Sequence, residues 1–174
     1  MTTFGNWKAS NRMSPTQFNI SELLGNLGKL APAGYALGLH IAYTTPKFMF
    51  QSYPKKWLDY YSQNGLVMSD PMVAWGFENV GTCRWSDLDD PAGVMQKAAD
   101  HGMTYGVVCA IKTGESLSIC GFARADREFT DEETSEIFNK VEYLHANTAD
   151  KAQLAPETVQ QLKNMSIMVT HPGS

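Results

Sequence analysis

GVVCAIKTGESLSICGFAR, residues 106–124, decides the fold. It holds two strand-like apolar runs, 106–112 and 117–124, joined at Thr113-Gly114, and reads as a β-hairpin. A second hairpin lies upstream. YALGLHIAY (35–43) alternates imperfectly, Thr44-Thr45-Pro46 supplies a turn, and KFMFQSY (47–53) returns. A short fifth strand is expected to include Cys83-Arg84-Trp85.

Helices fill the intervals. Ser14-Pro15 reads as a hydroxyl cap before a first-turn proline, and Ile20, Leu23, Leu24, Leu27 and Leu30 then form one apolar stripe. Pro54 opens a helix that Asn64-Gly65 stops. Further helices are expected from Pro71, behind Ser69-Asp70, and from Pro91, behind Asp89-Asp90. Thr130 and Glu133 have capping-box spacing ahead of a long helix with Ile137, Phe138, Val141 and Leu144 on one face. One more helix is expected around 156–165. Two antiparallel hairpins separated by helices predict an α+β fold: an α-β-α sandwich with a central, mainly antiparallel five-stranded sheet flanked by helices on both faces.

Composition narrows the function. The 174 residues carry 14 Lys+Arg and 18 Asp+Glu, a net charge of −4, with 43% hydrophobic residues. That is a globular balance with no basic excess for autonomous nucleic-acid binding. No apolar run is long enough for an ordinary membrane span, and the N-terminus lacks a secretory signal pattern. Three scattered cysteines fit a reducing cytoplasm.

Enzyme signatures are missing: no GxSxG, HExxH, P-loop, GxGxxG after a strand, or CxxC. His40 reads as a satisfied sheet histidine, and Cys109 and Cys120 as small hydrophobes. The aromatic region 53–85 stands apart. Tyr53, Trp57 and Tyr61 fall at i, i+4 and i+8, so they share one side of the Pro54 helix. This stripe reads either as an aromatic face packed on the sheet or as a wall for a ligand with apolar and carbonyl parts. Asp70 reads as an N-cap, with a second role open if its other oxygen faces a pocket. The Asp87/Asp89/Asp90 cluster reads as an acidic turn with Asp90 as a cap.

The string SYPKKWLDYYSQNGLVMSDPM (52–72), followed by RWSDL (84–88), resembles the autoinducer-binding domain of LuxR-type quorum-sensing regulators. The likeness rests on Tyr53, Pro54, Trp57, Tyr61, Asp70, Pro71, Trp85, Asp87 and Leu88 in fixed order. It extends more weakly over most of residues 15–150. The resemblance implies a non-enzymatic module binding an N-acyl-homoserine lactone, with no cofactor or metal. Trp57 would donate to the lactone carbonyl, Asp70 would accept from the amide N–H, and Tyr53 would donate to the amide carbonyl. Trp85 would pack on the lactone ring and Tyr61 would flank the acyl chain. An eight-carbon tail would contribute ~5 kcal/mol before ordering costs.

Two departures from the family pattern shape further expectations. Gly121 stands where many members place Ser or Thr, and Ile119 and Leu117 add no hydroxyl. A 3-oxo preference is therefore not expected, and room for a longer or bulkier acyl group is. The domain is expected over 1–153, with 154–174 resembling the first helix of a helix-turn-helix. Without a recognition helix, specific operator binding by this chain is not expected. Partners implied are a second copy or a full-length LuxR-type regulator, which the chain would restrain as an anti-activator. Two rivals stay open: a ligand-independent orphan acting through its dimer surface, and a lactone hydrolase.

Overall fold

The two hairpins meet through their inner strands. In the computed structural model, which describes residues 19–43, 45–150 and 154–170, β1 (Gly34–Ala42) pairs antiparallel with β5 (Ser116–Arg124), placing Leu37 opposite Cys120. Outside them lie β2 (Thr45–Gln51), β4 (Tyr105–Thr113) and β3 (Gly81–Arg84), giving the order β2-β1-β5-β4-β3. Every pairing is antiparallel.

Side chains alternate across the sheet, and each face has its own helices. On one face Leu37, Leu39, Cys109, Cys120 and Phe122 are buried under α1 (Ile20–Leu30), α5 (Asp131–Asn147) and α6 (Pro156–Thr170). Ile137, Val141 and Leu144 of α5 are fully buried there, as expected from their spacing. Leu154 and Leu162 join the same core, so α6 is packed onto the domain. Each such side chain contributes about 1.5–3 kcal/mol by leaving water.

The other face carries α2 (Lys55–Gln63), α3 (Pro71–Glu78) and α4 (Val94–Asp100), around Tyr53, Trp57, Trp85, Val94, Ala98, Met103 and Ala123. This is the α-β-α sandwich expected from the sequence, and its second layer positions the candidate site.

Local chemistry sets the helix ends. Thr130 and Glu133 close a reciprocal capping box on α5. The expected start of α1 at Ser14-Pro15 lies outside the described residues, as do Thr44 of the turn and the tail from 171; the described helix is capped by Asn19, whose side chain accepts from Glu22 N–H. Pro54 precedes α2 as its cap. Pro91 does not open α4. Gly93 adopts φ 71°, breaking the helical path, and α4 begins at Val94. Asp90 still caps it, reaching across the turn to accept from Val94 N at 2.8 Å and Met95 N at 2.9 Å.

His40 sits at an irregularity of the β1–β5 register, with φ 54°. Its ring lies 4.4 Å from that of His145 near the end of α5. Nε2 is within 3.0 Å of both His145 O and Thr148 Oγ1, and Ser118 Oγ meets His145 Nδ1 at 2.7 Å. Burial lowers both imidazoles, His145 to about 4, so they are neutral at physiological pH. His40 is the satisfied sheet histidine expected. No described helix is long and apolar enough to cross a membrane.

Candidate aromatic–carboxylate ligand site

Three rows of residues pave the sheet under α2, α3 and α4. Cross-strand partners point the same way, so Gly34, Ala123 and Gly106 form one row. Ala36, Gly121 and Val108 form the next, and Gly38, Ile119 and Ala110 the third. Most are Gly or Ala, which leaves space above the strands for large side chains from the covering layer.

Aromatic rings take that space. A β-carbon built on Gly106 would lie 2.2 Å from the Trp85 ring, so the indole lies against bare backbone. A β-carbon on Gly121 would lie 3.0 Å from Tyr53 Oη and 3.1 Å from Met72 Sδ. The room expected beside Gly121 is thus taken by the Tyr53 hydroxyl and the Met72 thioether. Tyr53 lies just before the Pro54 cap rather than within α2, yet it is buried in the same cluster as Trp57 and Trp85. Trp57 is 5% exposed and meets the Tyr61 ring edge-on at 5.6 Å.

Asp70 is 4% exposed and uses both oxygens. Oδ1 accepts from Met72 N at 2.9 Å, the cap expected from Ser-Asp-Pro. Oδ2 accepts from Tyr61 Oη at 2.7 Å. Burial raises the Asp70 pKa above the usual carboxylate range, while the Tyr61 and Met72 hydrogen bonds pull it down. Burial and then the Asp70 charge raise both Tyr53 and Tyr61, so both phenols stay protonated as donors.

Two donors stand out. Tyr53 Oη and Trp85 Nε1 are buried with no hydrogen-bond partner. An unsatisfied buried donor costs about 1–3 kcal/mol, a cost that an acceptor reaching it would offset.

The five aromatic and acidic residues singled out from the sequence therefore gather in one layer, with Gly121 beneath. Tyr61, expected beside the acyl chain, donates to Asp70. Two neighbours escaped the sequence reading: Met72, and His101, whose ring lies 5.3 Å from Trp57 and 5.8 Å from Tyr60. Neither residue type nor spacing singles out Met72 or His101: position i+2 from Asp70 does not share its helix face. Among the described residues, no group of three or more His, Cys, Asp or Glu could hold a metal ion. Burial pushes the Cys109 thiol up to about 12 and Cys120 well above its usual value, which makes both poor nucleophiles.

Fold and site together define an α-β-α module whose second helical layer gathers aromatic side chains beside a buried carboxylate. Residues 33–146 match the autoinducer binding domain model, and the chain belongs to that family, the signal-binding domain of LuxR-type transcription regulators. It is 23% identical over 141 residues to the transcriptional activator protein LuxR of Aliivibrio fischeri, covering 75% of this chain and 53% of that protein. It is 29% identical over 109 residues to the HTH-type quorum-sensing regulator RhlR of Pseudomonas aeruginosa, covering 59% and 45%. The chain spans about half the length of these relatives. The crystal structure of the N-acylhomoserine lactone dependent LuxR family factor CepR2 from Burkholderia cenocepacia shares the fold, with TM-score 0.59 at 19% identity, covering 75% of this chain and 86% of that one.

Proposed function

We propose that this chain binds an N-acyl-homoserine lactone through Tyr53, Trp57, Asp70 and Trp85, with Tyr61 and Gly121 completing the site. One observation carries the reading: a buried donor without a partner, Tyr53 Oη, shares a layer with the buried carboxylate of Asp70. The proposed head group offers one N–H and two carbonyls. Asp70 would accept from the amide N–H, Tyr53 would donate to the amide carbonyl, and Trp57 to the lactone carbonyl. Trp85, flat on Gly106, would close over the ring.

Tyr61 would orient Asp70 as the acceptor this role requires, its hydrogen bond opposing the pull of burial toward the protonated form. The ligand would stabilise the folded state by mass action, about 2.7 kcal/mol at one hundred times Kd.

The proposal extends to a cytoplasmic dimer, with a second copy or with a longer regulator of the same family. In the mixed pair the chain would act as an anti-activator.

The experiment is expression with and without a panel of acyl-homoserine lactones, followed by mass spectrometry of the purified protein. A lactone recovered one per chain, with a raised melting temperature, supports the reading. Equal yield, no bound lactone and no thermal shift favour the orphan interaction protein. Ring-opened product above background would revive a hydrolase.

A further inference from the structure

The site has an order along its length that α3 and the sheet beneath it share. Along α3, Asp70, Met72 and Gly76 succeed one another from the cap inward. Along the sheet, Trp85 lies on Gly106 in the row of Ala123, Met72 and Tyr53 lie on Gly121, and Gly76 lies on Ile119. Helix and strand agree, so the head-group end is at Trp85 and Asp70, and the far end is at Ile119.

The far end is closed differently from the rest. A β-carbon on Gly76 would lie 2.6–2.8 Å from three atoms of the Ile119 side chain, so α3 rests its bare backbone on that side chain. Next to it, Ile41 Cδ1 and Met49 Sδ each lie 3.7 Å from the position a β-carbon would take on Gly38. Small residues pave the head end, and branched or long apolar side chains crowd the third row.

We infer that Ile119 is the residue that sets tail length, and that the ligand class is the homoserine lactone with a short acyl chain of four to six carbons. The inference rests on the lactone reading above and specifies its substrate. With the amide carbonyl at Tyr53 Oη over Gly121, the two-residue step to Ile119 spans about 6.8 Å. A tail of single bonds about 1.5 Å long advances roughly 1.25 Å per carbon, so about five carbons reach the Ile119 side chain. This replaces the expectation of room for a longer chain: Gly121 opens space for Tyr53 and Met72, and Ile119 ends the path.

The test is isothermal titration of the full chain with butanoyl, hexanoyl, octanoyl, decanoyl and dodecanoyl homoserine lactones, for the natural sequence, Ile119→Ala and Ile119→Val. Affinity should rise about fourfold per added methylene up to hexanoyl and fall at least tenfold by dodecanoyl. Ile119→Ala should move the optimum two to three carbons longer, and Ile119→Val about one. Each profile is read within one variant, so a general loss of stability cancels. A natural-sequence optimum at octanoyl or longer overturns the inference, as does an unchanged profile in both variants; either leaves lactone binding standing. No binding of any lactone by the natural sequence overturns both.

Discussion

Tyr61 Oη donates to Asp70 Oδ2 at 2.7 Å, across nine residues of sequence. This bond ties α2 to the cap of α3 and holds a carboxylate where burial alone would favour its protonated form. Tyr61→Phe removes it and should destabilise the protein by about 1–2 kcal/mol, toward the low end for a hydrogen bond to a charged group because Tyr61 is only half-buried. Urea unfolding with and without lactone checks this; an unchanged midpoint contradicts it.

Asp70→Asn separates stability from recognition. The folded pKa of Asp70 lies above its unfolded value, so between the two the folded state holds more protons. The stability Asp70 contributes is full below the unfolded value and is lost as pH rises through the folded one. At pH 7 without lactone, Asp70→Asn should therefore melt no lower than the natural sequence, and the difference should shift in favour of the natural sequence on acidification toward pH 4. Melting curves across that range check the sign.

The His40–His145 pair titrates in the opposite sense. Both folded values are lowered, His145 to about 4, so between there and about 6.5 the unfolded chain binds more protons. Stability should fall as pH drops from 6.5 toward 4. The pair is best measured in Asp70→Asn, which removes the opposing carboxylate. Loss of the acid sensitivity in His145→Gln assigns it; an unaltered slope assigns it elsewhere.

Gly121→Ser places a hydroxyl beside the unpartnered Tyr53 Oη. The serine β-carbon would lie 3.0 Å from Tyr53 Oη and 3.1 Å from Met72 Sδ, so both side chains must give a few tenths of an ångström, the flexible Met72 most readily. The new hydrogen bond should contribute about 1 kcal/mol and raise the melting temperature about 3 °C. The same hydroxyl should improve binding of 3-oxo lactones relative to unsubstituted ones, read by titration.

Leu162 is fully buried in the core beneath α1 and the sheet. Leu162→Ala should cost about 2–5 kcal/mol, measured by denaturant unfolding. A cost under 0.5 kcal/mol would mean that α6 is not packed on the domain.

Much of this architecture is written locally. Thr130 with Glu133, and Asp70 before Pro71, announce their helices because caps depend on residues within one turn. The start of α4 is not written in the same way: Asp90-Pro91 has the local pattern of a helix opening, and only the left-handed φ of Gly93 moves that opening to Val94. Cross-chain relationships were not legible at all. His40 meets His145 across 105 residues, and the alignment of Gly121 with Ala36 and Val108 depends on register, which no single strand encodes. The aromatic residues of the candidate site were readable by type and spacing. That Tyr53 Oη would be left without a partner, with Met72 beside it, needed the third dimension.

Isothermal titration of hexanoyl homoserine lactone into the natural sequence and into Asp70→Asn tests the central claim most directly. The account predicts one site per chain for the natural sequence and an affinity at least a hundredfold weaker in the variant, with folding of the variant intact by circular dichroism. Equal affinity in the two proteins would contradict it.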